Sequence, residues 1–259
     1  MQIKKYSSAL LLSLIFIFSL LLKIFFFSLE PLVSTDGCLY VAIIQKWHEL
    51  GSYEAAIQCF PGTGWLPPLP LFLIKSFMVF GVSATTAGFV WAFVLGAALA
   101  VVAFGIAYEV TQNKKIAVAA ALLFALHPSV NEIGTEIQRD IFYLFFAGCS
   151  IWFACIAIRR KKWYWWAVAA IPCAASALSR FETLELFPLV IFILFLLAVM
   201  KRISWRKAAA NGIAFFATLI ITVFLLSSTM GTNDFLTESC GRYFAGKWNK
   251  VFPQWRVKL

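Results

Sequence analysis

The sequence predicts an all-α, polytopic membrane protein of about seven transmembrane helices, with interfacial helices in a long first loop. Of its 259 residues, 62% are hydrophobic and only 13% charged. A soluble domain needs far less apolar material to build a core. Apolar runs also recur along the whole chain, near the twenty-residue length that crosses a bilayer. Finally, lysines and arginines fall in tight clusters between those runs, as the positive-inside rule requires of a protein threaded through a membrane. The net charge of +10 has that origin, and nucleic-acid binding is disfavoured.

The first run, 7–29, follows a short basic segment. It is longer than the core of a signal peptide and lacks a small-x-small cleavage site, so it reads as an uncleaved span. Lys23 near its outer end is read as snorkelling to the headgroups. Further spans are predicted over 84–107, 116–126, 141–158, 163–178, 184–200 and 208–227, the shorter ones completed by flanking residues or by local thinning. The stretch 66–80 opens with "LPPLP" and contains Lys75. Charge placement decides its role. If it lies at the interface, Lys4 and Lys5, Lys114 and Lys115, "RRKK" at 159–162 and "KRISWRK" at 201–207 all fall on the cytoplasmic side. The other side then collects every acidic residue except Glu109. Acidic residues carry little topological weight, so their segregation points to function. "KKWYWW" reads as an aromatic belt at headgroup depth. The tail 229–259 is assigned to the exterior as a short segment after a transmembrane module spanning 1–228, within which 30–83 forms the first exterior loop.

Six cysteines are present, without a CxxC pair or a histidine at metal spacing, so a zinc site has little support and no cofactor is assigned. A divalent metal requirement stays open. Cys149, Cys155 and Cys173 lie in apolar runs as small hydrophobes. Cys38 and Cys59 share the first loop, where a disulfide is open to them. "PGTG" at 61–64 is a turn, and no glycine-rich nucleotide cradle is visible.

Polar residues gather in three exterior segments. In the first, "STDGCLYVAIIQKWHELGSY", the Ser-Thr-Asp run can start a helix whose apolar face is Leu39, Ala42, Ile43, Lys46, Trp47 and Leu50, suited to lying on the membrane. Asp36 sits at that start, either as a helix cap or as a catalytic carboxylate, and Tyr40 lies one turn on. In the second, "HPSVNEIGTEIQRDIFYLFF", Arg139 and Asp140 stand where a span begins. Charges there must pair, snorkel or line a wet cavity. In the third, "SALSRFETLEL", Arg180 and Glu182 occupy the matching position. A guanidinium grips phosphate through two parallel hydrogen bonds. The three segments therefore offer carboxylates for proton transfer and arginines for an anion.

These stretches, together with "LPPLPLFLIKSFMVFGVS" and "ALSRFE", resemble the membrane-embedded glycosyltransferases of the C-type fold, in particular the dolichyl-phosphate-mannose protein mannosyltransferase and aminoarabinose transferase-like group. The resemblance covers roughly residues 7–200. It implies a GT-C-like fold in a bacterial plasma membrane, with the active site on the exterior face. It also implies transfer of a sugar from a polyprenyl-phosphate donor to a hydroxyl acceptor with inversion. By the same resemblance Asp36 matches the catalytic base, Asp140 the second-loop acidic residue, Arg139 and Arg180 contacts to the lipid phosphate, and "PPLPLF" a juxtamembrane helix. Tyr40 and Glu182 complete the expected substrate-binding set. The partners implied are a polyprenyl-phosphate-linked sugar and membrane lipid, with a protein or glycan acceptor of unknown identity and no nucleic acid. The chain departs from some relatives in having Leu66, not a basic residue, immediately before the paired prolines. It also stops where relatives continue, so it reads as a minimal member, a truncated product or a fragment. Two other functions stay open: a transporter or flippase of lipid-linked sugars, and a catalytically silent membrane scaffold.

Overall fold

A computed structural model describes residues 3–29, 33–60 and 66–232, with side chains from residue 9 onward. The predicted exterior tail from 233 onward, the "PGTG" turn and Glu30 lie outside the described residues. All regular structure among the described residues is helical. Each predicted span forms a helix: α1 (Ile3–Leu29), α5 (Ala84–Thr111), α6 (Lys114–Leu126), α8 (Arg139–Arg160), α9 (Tyr164–Ala177), α10 (Leu186–Val199) and α11 (Trp205–Met230). Between them lie α2 (Thr35–Leu50), α3 (Tyr53–Gln58), α4 (Pro68–Phe77) and α7 (Pro128–Ile133).

The caps explain the boundaries. Ser83, Asn113 and Ser204 each accept a hydrogen bond from a first-turn N–H of the helix they precede, satisfying donors that the helix itself leaves open. α6 stops at His127 because Pro128 cannot continue the ladder.

Side-chain contacts fix the direction of each helix. Lys23 of α1 meets Gly96 of α5, and Phe27 meets Phe89 and Phe93, so these two run antiparallel. Gly105 faces Trp152 and Gly148 faces Val102, which makes α5 and α8 parallel. Ser150 Oγ donates to Ala169 O at 2.9 Å and Ser176 Oγ to Tyr143 O at 3.3 Å, setting α9 antiparallel to α8. Leu194 meets Gly212 while Phe195 meets Trp205, so α10 and α11 are antiparallel too. Glycine and alanine carry these interfaces, as close helix approach in lipid demands. A Cβ on Gly105 would collide with the Trp152 ring.

The result is a multi-pass bundle with two distinct ends. Lys114, Lys115, Arg159, Arg160, Lys161 and Lys162 share one end. Glu109, the acidic residue that did not segregate with the rest, also lies there. Its carboxylate takes Arg159, with Nη2 to Oε1 at 3.0 Å. The starts of α2, α5 and α8 share the other end.

Several expectations change. By length and composition, five helical stretches among the described residues can each cross a membrane alone, against the seven spans expected: Ala9–Leu29, Ala84–Thr111, Arg139–Arg160, Phe181–Val199 and Trp205–Met230. α6 and α9 have 13 and 14 residues, about 20 Å each, against a hydrocarbon core of about 30 Å. α4, at 10 residues, is about 15 Å long and cannot cross. Lys23 does not snorkel. It is fully buried, because its ammonium finds Val130 O at 2.8 Å and Asn131 Oδ1 at 2.7 Å inside the bundle. The buried face of α2 is Tyr40, Ile43, Ile44 and Trp47, whereas Lys46 and Leu50 are exposed. That helix packs on protein, its Trp47 ring meeting Tyr53, Phe72 and the Lys75 ammonium. Within "KKWYWW", Trp163 and Tyr164 are exposed as a belt requires, but Trp166 is a core residue. Cys38 and Cys59 are both free and exposed, so no disulfide joins them.

Candidate functional site

Ser34, not Asp36, caps α2. Its hydroxyl accepts from the Gly37 N–H at 3.1 Å, which leaves the Asp36 carboxylate exposed on the first turn with no hydrogen bond or ion pair among the described residues. Gly37, on the same turn, is buried, and a Cβ there would lie 3.0 Å from the backbone oxygen of Ile137. The absence of a side chain thus lets the first turn of α2 press against the backbone that leads into Arg139 and Asp140.

Arg139 opens α8, which begins about one turn lower in the bundle than α5, because Gly88 stands level with Ile137. The side chains at the start of α8 are therefore recessed. Arg139 lines a narrow crevice with Tyr40, Leu66, Pro67 and Pro70. It sits beside the paired prolines, where the sequence itself lacks a basic residue.

The third segment docks through its backbone. The Leu69 N–H donates to Leu178 O at 3.2 Å, tying α4 to the end of α9. Two residues later Arg180 pairs with Asp140 and, through Nε at 3.0 Å, with Glu182. Its guanidinium also lies 5.8 Å from the centre of the Tyr143 ring. Asp140 thus pairs with Arg180 and not with its chain neighbour Arg139, since consecutive helical residues point apart.

All six sequence-predicted site residues meet at one end of the bundle. Tyr40 is 3% exposed and lies in the combined field of Arg139, Asp36 and Arg180. Burial pushes its phenol above the ordinary value, and the Asp36 carboxylate adds to that, while the two guanidiniums oppose it. A phenol kept neutral in this way can donate a hydrogen bond but is a poor base. A wholly apolar groove of about 360 Å³ flanks the Arg180 turn, lined by Leu178, Phe181, Leu184, Phe187 and, from α11, Val223 and Phe224.

Sequence reasoning missed Tyr143, although its position three residues after Asp140 puts it on the same helical face. It also missed Gly37 and the Lys23–Asn131 clasp, where Asn131 in turn donates to Ala125 O and His127 O. The pattern around Gly37 carried no signal for a contact with residues a hundred positions away.

No curated protein and no solved structure matches the chain. A family model described as dolichyl-phosphate-mannose-protein mannosyltransferase matches residues 66–227, more than half of its length. That stretch contains α4, both arginines, Asp140 and Glu182. On this match and the helical membrane architecture, the chain belongs to the dolichyl-phosphate-mannose-protein mannosyltransferase family and is a membrane glycosyltransferase.

Proposed function

We propose that the protein moves a sugar from a polyprenyl-phosphate donor onto a hydroxyl acceptor, with inversion, at the exterior face of a bacterial plasma membrane. The observation that carries this reading is the meeting of an uncapped, exposed carboxylate with two guanidiniums beside an apolar groove. A lipid-linked sugar has a tail that must stay in hydrocarbon and a phosphate that must be matched by cations at the same depth. The groove beside Arg180 suits the first prenyl units. Arg139 supplies a guanidinium next to the paired prolines.

Asp36 accepts the proton of the acceptor hydroxyl as its oxygen bonds to the anomeric carbon, and the bond from that carbon to the phosphate oxygen breaks on the opposite side. The phosphate leaves carrying the electron pair, stabilised by Arg139 and by the positive charge of Arg180. Asp140 and Glu182 hold Arg180 in place, so they orient the phosphate contact without touching the reacting atoms. Tyr40 donates toward the donor phosphate or the sugar.

General-base assistance contributes about 10² to 10⁴-fold. Asp36→Asn should therefore keep its thermal stability and lose at least about 10²-fold of its turnover in an assay of lipid-linked sugar consumption. Turnover within a few-fold of the parent would overturn the assignment of Asp36.

A further inference from the structure

A large cleft lies at the opposite, basic end, and nothing in the proposed sugar transfer uses it. It encloses about 980 Å³ between the turn that joins α8 to α9 and the turn that joins α10 to α11. Lys161, Lys201, Arg202 and Lys207 line it, and no acidic residue does. Its floor is apolar, formed by Ala157, Trp166, Leu197 and Ala198. Trp163 and Trp205 stand at its rim, 62% and 59% exposed, as indoles at headgroup depth do.

Topology accounts for cations at this end, but not for this arrangement. The helix dipole favours Lys161 and Lys201 at the C-termini of α8 and α10. Both nevertheless adopt left-handed backbone, φ 53° and 56°, a conformation that glycine would hold with less strain. Lys207 is the opposite case, since it lies in the first turn of α11. There the helix dipole is positive and carboxylates are the favoured residues. α11 has none in that turn. A pocket with cations at the mouth, a cationic helix start at one wall and an alkyl floor is complementary to one chemistry: an anionic headgroup attached to acyl chains.

We propose that this cleft binds the phosphate headgroup of an anionic phospholipid from the leaflet at the basic end. The phosphate sits among Lys201, Arg202 and Lys207, and the first methylenes lie on Leu197 and Trp166. The lipid clamps the α8–α9 turn to the α10–α11 turn, and so steadies the pair of helices that carries the Arg180 segment at the other end.

Native mass spectrometry of the full chain, released from nanodiscs of phosphatidylcholine with or without phosphatidylglycerol, tests the site. Wild type, Asp36→Asn and a Lys114→Gln/Lys115→Gln control should all retain one phosphatidylglycerol in preference to phosphatidylcholine. Lys201→Gln/Arg202→Gln/Lys207→Gln should retain it at least about tenfold more weakly, the loss expected of charge-assisted hydrogen bonds. Ala210→Trp fills the cleft with every charge intact and should lose the lipid as well, and Arg202→Gln alone serves if the triple variant does not fold. Equal loss in the Lys114/Lys115 control, or full retention in Ala210→Trp, would overturn the site. So would free glycerol phosphate that displaces the lipid at equal concentration, because the cleft would then be an ion site. Since Asp36→Asn is expected to bind normally, failure of this proposal is distinguishable from failure of the sugar-transfer reading.

Discussion

Asp36 and Lys23 are both ionisable, and the chain treats them in opposite ways. Asp36 is left in the open because Ser34 performs the capping that the sequence offered to either residue. Lys23 is drawn inward and passes between Gly96 and Gly134, its Cε close to where each would carry a Cβ. An ammonium that ends on two neutral oxygens is costly to bury, so its retention marks a structural clasp on α7, the element that leads to Arg139. Lys23→Ala removes the stem and leaves Asn131 Oδ1 without its donor, while Val130 O keeps only the Gly134 N–H. It should lower stability by about 2–5 kcal/mol, and hydrogen exchange at 128–134 should rise before exchange in α8. An unchanged exchange pattern there would mean that the clasp does not hold α7. Hydropathy could not reveal this role, because a lysine near the end of an apolar run has the same pattern whether its stem turns outward or inward.

Helices α2, α3 and α4 form a foot against the polar end of the bundle, and their existence was legible where their facing was not. The Ser-Thr-Asp start and the paired prolines are local signals, and both mark true helix beginnings. The buried stripe of α2 was misjudged because Trp47 and Ile43 fit either of two adjacent faces, and the choice was made by Tyr53, Phe72 and Lys75 from elsewhere in the chain. Within this foot Tyr53 donates from its hydroxyl to Leu66 O at 2.5 Å, which ties α3 to the entrance of α4. Burial, with a smaller push from Glu54, raises the Tyr53 phenol far above its ordinary value. The sign follows directly: the unfolded phenol ionises near its usual pKa of about 10 while the folded one resists. Its contribution to stability is therefore complete below about pH 10 and declines as pH rises further. Tyr53→Phe should cost about 1 kcal/mol at neutral pH, and the difference in melting temperature from wild type should narrow above about pH 10. A gap that widens with alkalinity would contradict the buried hydrogen bond.

For the whole molecule, the segregation of charge along the sequence translated into a bundle whose two ends differ in chemistry. The lengths of the individual helices did not translate as well. Composition treats 116–126 and 163–178 as spans, yet α6 is cut at the His-Pro step and α9 ends in the turn before Arg180, so both are short. Those early endings belong to the same connections that carry the polar cluster. Cys38, exposed and two residues beyond Asp36, is a native reporter of sidedness. In sealed, oriented vesicles, with Cys59 and Cys240 replaced by serine, a membrane-impermeant maleimide should label Cys38 from the face opposite to that which labels Lys115→Cys in the same background lacking Cys38. Labelling of both from one face would refute the two-ended arrangement.

The closeness of Gly37 to Ile137 O sets a tolerance for the chemistry itself. A methyl there acts as a wedge between the carboxylate-bearing helix and the segment that leads into Arg139, and it removes no functional group. Under the proposed sugar transfer, Gly37→Ala should slow turnover while KM for the lipid donor stays near the parent value, because the proposed proton acceptor and leaving-group contact would be prised apart with each still intact. One hydrogen atom in place of a side chain is, on this view, the spacer that keeps two halves of a reaction in step.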